Sequence, residues 1–139
     1  MKIIAVLIVV SALLIGVIPL FTDCESQGRA IKLPDGRLIP MKCHWTGQAE
    51  LALALPIAAV GGLLAFSRRR ELRRNLGILG IVLGAAAILV PVTLIGVCAS
   101  SDMLCNSVMQ PALILLGTLV MAFSLVNVAW PGQPMELAA

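Results

Sequence analysis

Charge is what this sequence has least of. Ten Lys or Arg and seven Asp or Glu stand among 139 residues, 12% of the chain, against 60% hydrophobic residues and a mean hydropathy of +1.03. A soluble globule carries about a quarter charged residues, so these few cannot clothe a water-facing surface. Disorder is excluded as well, because it requires low hydrophobicity. The net charge of +3 sits mainly in one short arginine run, which is not the basic stripe that binds nucleic acid. Catalytic groups are equally sparse. There is one histidine, no Cys-x-x-Cys, no Gly-rich phosphate loop and no Ser-His-Asp set placed to meet. What remains is a protein whose first partner is the lipid bilayer, and nothing here marks it as an enzyme or implies a cofactor.

A bilayer core of about 30 Å asks for about 20 apolar residues per helix. Four runs qualify, at 3–21, 51–66, 76–97 and 112–130, none with an internal Asp, Glu, Lys, Arg or His. The second is short but can borrow a turn from Gly47, Gln48 and Ala49, which leaves Glu50 at its head, beside a helix N-terminus. The expected fold is all-α, a single integral-membrane domain over 1–139. Its four helices form an up-and-down bundle of two helical hairpins, with outer loops at 22–50 and 98–111 and a linker at 67–75. Arg68, Arg69, Arg70, Arg73 and Arg74 crowd that linker. The positive-inside rule makes it cytoplasmic, together with both termini, and sends the cysteine-bearing loops to the other side. The first run is read as a retained helix, because no small-x-small cleavage site precedes Cys24. Gly77, Gly80 and Gly84 on the third helix, and Ala54, Ala58 and Gly62 on the second, are spaced for close packing inside the bundle. Pro56 and Pro91 should kink their helices, Pro111 suits the first turn of the fourth, and Pro131-Gly132 should end it.

Each hairpin carries two cysteines, and the hairpins read alike. Met41-x-Cys43 is followed by Gln48, and Met103-x-Cys105 by Gln110, so Met-x-Cys-x-x-x-x-Gln precedes a span twice. This pattern fits a duplicated hairpin, or similar residues reused at two loop ends. Cys24, Cys43, Cys98 and Cys105 are disulfide candidates on a side where disulfides persist, and four cysteines allow three connectivities. Local pairing would staple each outer loop. A redox role is the alternative, on the topology of quinone-coupled membrane thiol oxidoreductases, although their Cys-x-x-Cys is missing. A third reading is soft-metal handling, with Met41, Cys43 and His44, or Met103, Cys105 and Met109, as a donor set suited to copper. His44 beside Trp45 also fits a plain interfacial pair.

The run Lys42-Cys43-His44-Trp45-Thr46 before the second span, with Cys98, Cys105 and Gln110-Pro111-Ala112-Leu113, carries a resemblance over nearly the whole chain. The sequence resembles an uncharacterised family of small bacterial four-span membrane proteins defined only as a domain of unknown function. That resemblance implies the bacterial cytoplasmic membrane and a non-enzymatic structural or accessory subunit, with an ABC-transporter permease as partner. It marks Cys43, His44, Trp45, Thr46 and Glu50 as the positions to test.

Overall fold

A computed structural model describes residues 2–129. Backbone amides inside an apolar run have no water to bond, so such runs satisfy themselves as helices. Helix α1 spans Lys2–Thr22, α2 Lys42–Phe66 and α3 Arg70–Leu89. Helix α3 runs on through a π-helical turn at Val90–Leu94, and a second π-helical turn at Cys105–Met109 leads into α4, Gln110–Ala129. All four helices are long and apolar enough to cross a membrane. Trp130 and the expected stop at Pro131-Gly132 lie outside the described residues.

The helices form an all-α, up-and-down bundle. Helix α1 packs along α2 and α3 along α4, while α1 with α4 and α2 with α3 make the lesser seams. The outward faces are apolar too: Ile3, Leu55, Phe66 and Leu115 are all well exposed, as a lipid-facing bundle requires. Lys2, Arg68 and Arg73 line one open groove, so the N-terminus and the arginine linker share an end of the bundle.

Small residues set the close seams. A side chain at Gly77, Gly80 or Gly84 would run into α4, at Val128, Ser124 and Met121 or Gly117 respectively. On α2 the close approach falls to Gly61 against Ile8 and Val9 of α1 and to Ala54 against Gly16, while Gly62 meets nothing within 4 Å. The expected Ala54, Ala58, Gly62 stripe is therefore corrected at its end, because the helical phase turns Gly61 inward.

Proline shapes the ends nearest the cysteines. Pro111 has no N–H, and its ring would crowd the carbonyl of Ser107 in a regular α-turn. The preceding turn widens instead, and the Gln110 N–H bonds back to the Cys105 carbonyl. Pro91 likewise lies in a widened turn, closed by the Ile95 N–H on the Val90 carbonyl at 3.0 Å. Pro56 stays within a continuous α2. Between α1 and α2, strands β1 (Ile31–Lys32) and β2 (Leu38–Ile39) pair antiparallel around Pro34-Asp35-Gly36. Gly36 takes φ +78° in that turn, where a side chain would be strained.

Candidate four-cysteine site

The four cysteines belong to four different chain segments, each at a helix end, and all meet at the pole opposite the arginines. Cys24 follows the last turn of α1, Cys43 lies in the first turn of α2, Cys98 follows α3, and Cys105 opens the helical stretch that becomes α4. Their sulfurs all lie within 4.8 Å of one another. Cys24 and Cys43 form a disulfide, with Cα atoms 6.4 Å apart, and Cys98 and Cys105 carry thiols. The Cys98 sulfur is 3.5 Å from that of Cys43, and the Cys105 sulfur is 3.5 Å from that of Cys24. Cys24 and Cys98 stand 3.7 Å apart. Two thioethers flank the knot, Met103 at 3.9 Å from Cys24 and Met41 at 4.0 Å from Cys98.

These contacts obey the internal repeat. Exchanging Cys24 with Cys98, Cys43 with Cys105 and Met41 with Met103 converts each of the paired distances into its partner. Each thiol and each thioether therefore reaches across to the other hairpin. Two separate stapled loops were the simplest expectation. One of those local pairs is bonded, but both loops converge on a single knot, because the ends of all four helices gather at one pole.

Neighbouring polar contacts hold the four segments in place. His44 Nδ1 stands 2.7 Å from Glu25 Oε2 and 3.5 Å from Asp23 Oδ2, an ion pair when the ring is protonated. The two carboxylates flank Cys24 and the ring follows Cys43, so this contact clamps the two halves of the disulfide together. Asp23 also accepts the Ser26 N–H at 2.8 Å, closing the turn beyond α1. Thr46 is fully buried, and its hydroxyl donates to the Gly96 carbonyl at 2.6 Å. Gly96 has φ +79°, a left-handed residue ending the helix, and two residues later the chain delivers Cys98. Trp45 is exposed and meets His44 edge-on, with ring centroids 5.7 Å apart. His44 thus belongs to the carboxylate pair and not to the sulfur knot. Met109 is a fully buried core residue. The expected donor sets of Met41, Cys43 and His44, or Met103, Cys105 and Met109, give way to one set drawn from both hairpins.

Exposure separates the four cysteines. Cys43 and Cys105 are 0% exposed and Cys24 is 1% exposed, whereas Cys98 is half-buried. Glu50 is 0% exposed, and both its carboxyl oxygens meet no hydrogen-bond partner among the described residues. Its expected place at a helix N-terminus is corrected. Helix α2 begins at Lys42, so Glu50 stands about two turns inside it, past the unpaired amides. It shares the buried face of Cys43, Thr46 and Gly47. An ionisable side chain within a spanning helix is a mark of function more often than of stability.

A family model for a domain of unknown function, DUF4418, matches residues 3–130. The chain belongs to the DUF4418 family. No curated protein and no solved structure matches it. Within this DUF4418 chain, Cys43 lies in the knot, His44 in the clamp beside it and Thr46 on the Gly96 carbonyl, while Trp45 is exposed and Glu50 lies deeper on the buried face of α2. The arginines of the linker lie at the far pole: Arg68, Arg69, Arg70 and Arg74 are exposed and Arg73 is half-buried. Sequence reasoning missed the crossing of the hairpins and the burial of Glu50. The second had a visible signal, since Glu50 follows Cys43 by seven residues, in phase on one helical face.

Proposed function

We propose that this protein is a membrane thiol–disulfide exchange centre, in which Cys98 meets an external dithiol and the Cys24–Cys43 disulfide stands behind it. One observation carries the reading: the thiol of Cys98, the one cysteine of the four that is not fully buried, is 3.5 Å from a sulfur of a disulfide that solvent does not reach. Exchange proceeds by attack of a thiolate on a disulfide sulfur along the S–S axis. Cys98, 3.5 Å from Cys43 and 3.7 Å from Cys24, lies beside the bond at contact distance, and a swing of its side chain brings it into line.

The steps balance without a further reagent. The Cys98 thiolate attacks the Cys43 sulfur, a Cys98–Cys43 bond forms, and Cys24 leaves as a thiolate that takes up a proton. A thiolate of the partner then attacks Cys98, forming a mixed disulfide and releasing Cys43. The partner's second thiolate attacks its own sulfur in that mixed disulfide and releases Cys98. The partner has lost two electrons and two protons, and Cys24 and Cys43 have gained them. The reverse sequence reduces a partner disulfide, and the relative potentials set the direction. A Cys-x-x-Cys motif supplies proximity through a tight turn, and tertiary convergence of four helix ends supplies it here. The arginine linker supports an orientation with the cysteine pole outside the cytoplasm.

The test uses the oxidised full-length protein in mild detergent with a reduced dithiol peptide, acid quenching and mass-shifting alkylation. Two new thiols in the protein should appear for each peptide disulfide formed, and in intact spheroplasts an impermeant maleimide should label Cys98. A structural staple in an accessory subunit predicts the opposite, a disulfide that stays closed while the peptide remains reduced. That result would discard the exchange reading.

A further inference from the structure

The same four sulfurs have a second geometry open to them once the disulfide is reduced. A tetrahedral ion with metal–sulfur bonds of about 2.3 Å holds its sulfurs about 3.8 Å apart along each edge. Three edges of this knot already measure 3.5, 3.5 and 3.7 Å, and all six fall within 4.8 Å. Reduction of Cys24–Cys43 frees the short edge to open to the same spacing. We propose that the fully reduced protein binds one Zn(II) ion between the sulfurs of Cys24, Cys43, Cys98 and Cys105. This inference needs only a reducible disulfide and does not rest on exchange with a partner.

Four observations support it. The donors come from four chain segments, so an ion would tie all four helix ends and would join the two hairpins where they otherwise meet along lesser seams. The pairing of Cys24 with Cys98 and of Cys43 with Cys105 gives the site an approximate two-fold axis, and a tetrahedron possesses one. The surroundings are soft and dry: three sulfurs are closed to solvent, the nearest other donors are the Met41 and Met103 thioethers, and the nearby carboxylates are engaged with His44. Closed four-sulfur sites of this kind are the structural form of zinc coordination. Cys43 and Cys105 also stand at the N-terminal ends of long helical stretches, where the helix dipole favours negative charge. Zinc and the disulfide are alternative occupants of one set of sulfurs. Two electrons and two protons convert the disulfide to thiols, and binding of the ion displaces the thiol protons.

The experiment takes the full-length protein in detergent, reduced anaerobically with a phosphine, with thiols counted in the folded state before and after zinc is added. One zinc per chain is expected, with all four thiols lost to titration. Cobalt substitution should give the visible bands and sulfur-to-metal charge transfer of a tetrathiolate, a readout that needs no variant. Cys98→Ser and Cys105→Ser should each weaken binding about 100-fold or more, since even changes outside the ligand set reach that size. Leu55→Ala, on the lipid-facing side, should leave it unchanged. Four counted thiols with no zinc bound, a disulfide that resists reduction in the folded state, or uptake of Cu(I) with zinc refused would each overturn the assignment.

Discussion

Cys98→Ser is expected to slow exchange with an external dithiol by about 100-fold or more, while the Cys24–Cys43 disulfide still forms. The size follows from what is left when the Cys98 thiol is removed. The remaining disulfide sulfurs are 0% and 1% exposed, so a partner thiolate has no line of approach without opening the bundle. The variant also loses the neighbour 3.5 Å from Cys43, and intramolecular groups reach effective molarities of about 10⁵ M once they align. Serine keeps the size of the side chain, and Cys98 is the least buried of the four, so the fold should survive. Quenched-flow alkylation gives the rate, and alkylation of the untreated variant confirms the disulfide. An unchanged rate would mean that partners reach the buried sulfurs by another route.

The second large effect falls on the fold. Gly84→Leu is expected to cost about 3 kcal/mol or more, at or above the upper end for overpacking, because the obstacle is backbone. A Cβ on Gly84 would lie 2.9 Å from the Gly117 carbonyl and 2.8 Å from the Met121 side chain, and a Cβ on Gly117 would meet the Gly84 carbonyl at 3.0 Å. A side chain can swing aside, but a carbonyl bonded into its own helix cannot. Forcing α3 from α4 also parts the segments that carry Cys98 and Cys105, so exchange should weaken along with stability. Thermal unfolding in detergent measures the first effect, with the lipid-facing Leu55→Ala, 71% exposed in the native chain, as the neutral control. Equal melting of Gly84→Leu and the native chain would contradict the packing described for α3 and α4.

Hydropathy made the four helices legible, since the lipid-facing sides of the bundle are as apolar as its core. It misjudged where α2 begins. Its first two turns bury Cys43, Thr46, Gly47 and Glu50, residues that a hydropathy window scores as loop, although their spacing is helical. The β1–β2 hairpin had its signal in Pro34-Asp35-Gly36, a turn sequence between Ile31-Lys32 and Leu38-Ile39. The duplicated Met-x-Cys-x-x-x-x-Gln pattern marked Met41, Cys43, Met103 and Cys105, four of the six sulfur residues at the knot, and left out Cys24 and Cys98. It gave no hint that each thiol meets a sulfur of the other hairpin, because that depends on how the hairpins dock, and docking of apolar helices leaves little trace in one sequence. His44 read as a soft-metal donor or as an interfacial residue beside Trp45, and its carboxylate contacts left no trace in the sequence for the same reason. Its partners, Asp23 and Glu25, are some twenty residues away and become neighbours only when α1 and α2 lie side by side.

The central claim is that four cysteines from two hairpins form one connected centre, and a crossed disulfide tests it most directly. In the double variant Cys24→Ser, Cys105→Ser, only Cys43 and Cys98 remain, one in each hairpin. A protease site placed in the linker between α2 and α3 allows the halves to be cut apart after mild oxidation. With the two sulfurs 3.5 Å apart, the halves should stay joined on a non-reducing gel and separate on reduction, with the Cys43–Cys98 peptide pair found by mass spectrometry. Halves that separate without reductant, both thiols still open to alkylation, would show two independent loops and contradict the account.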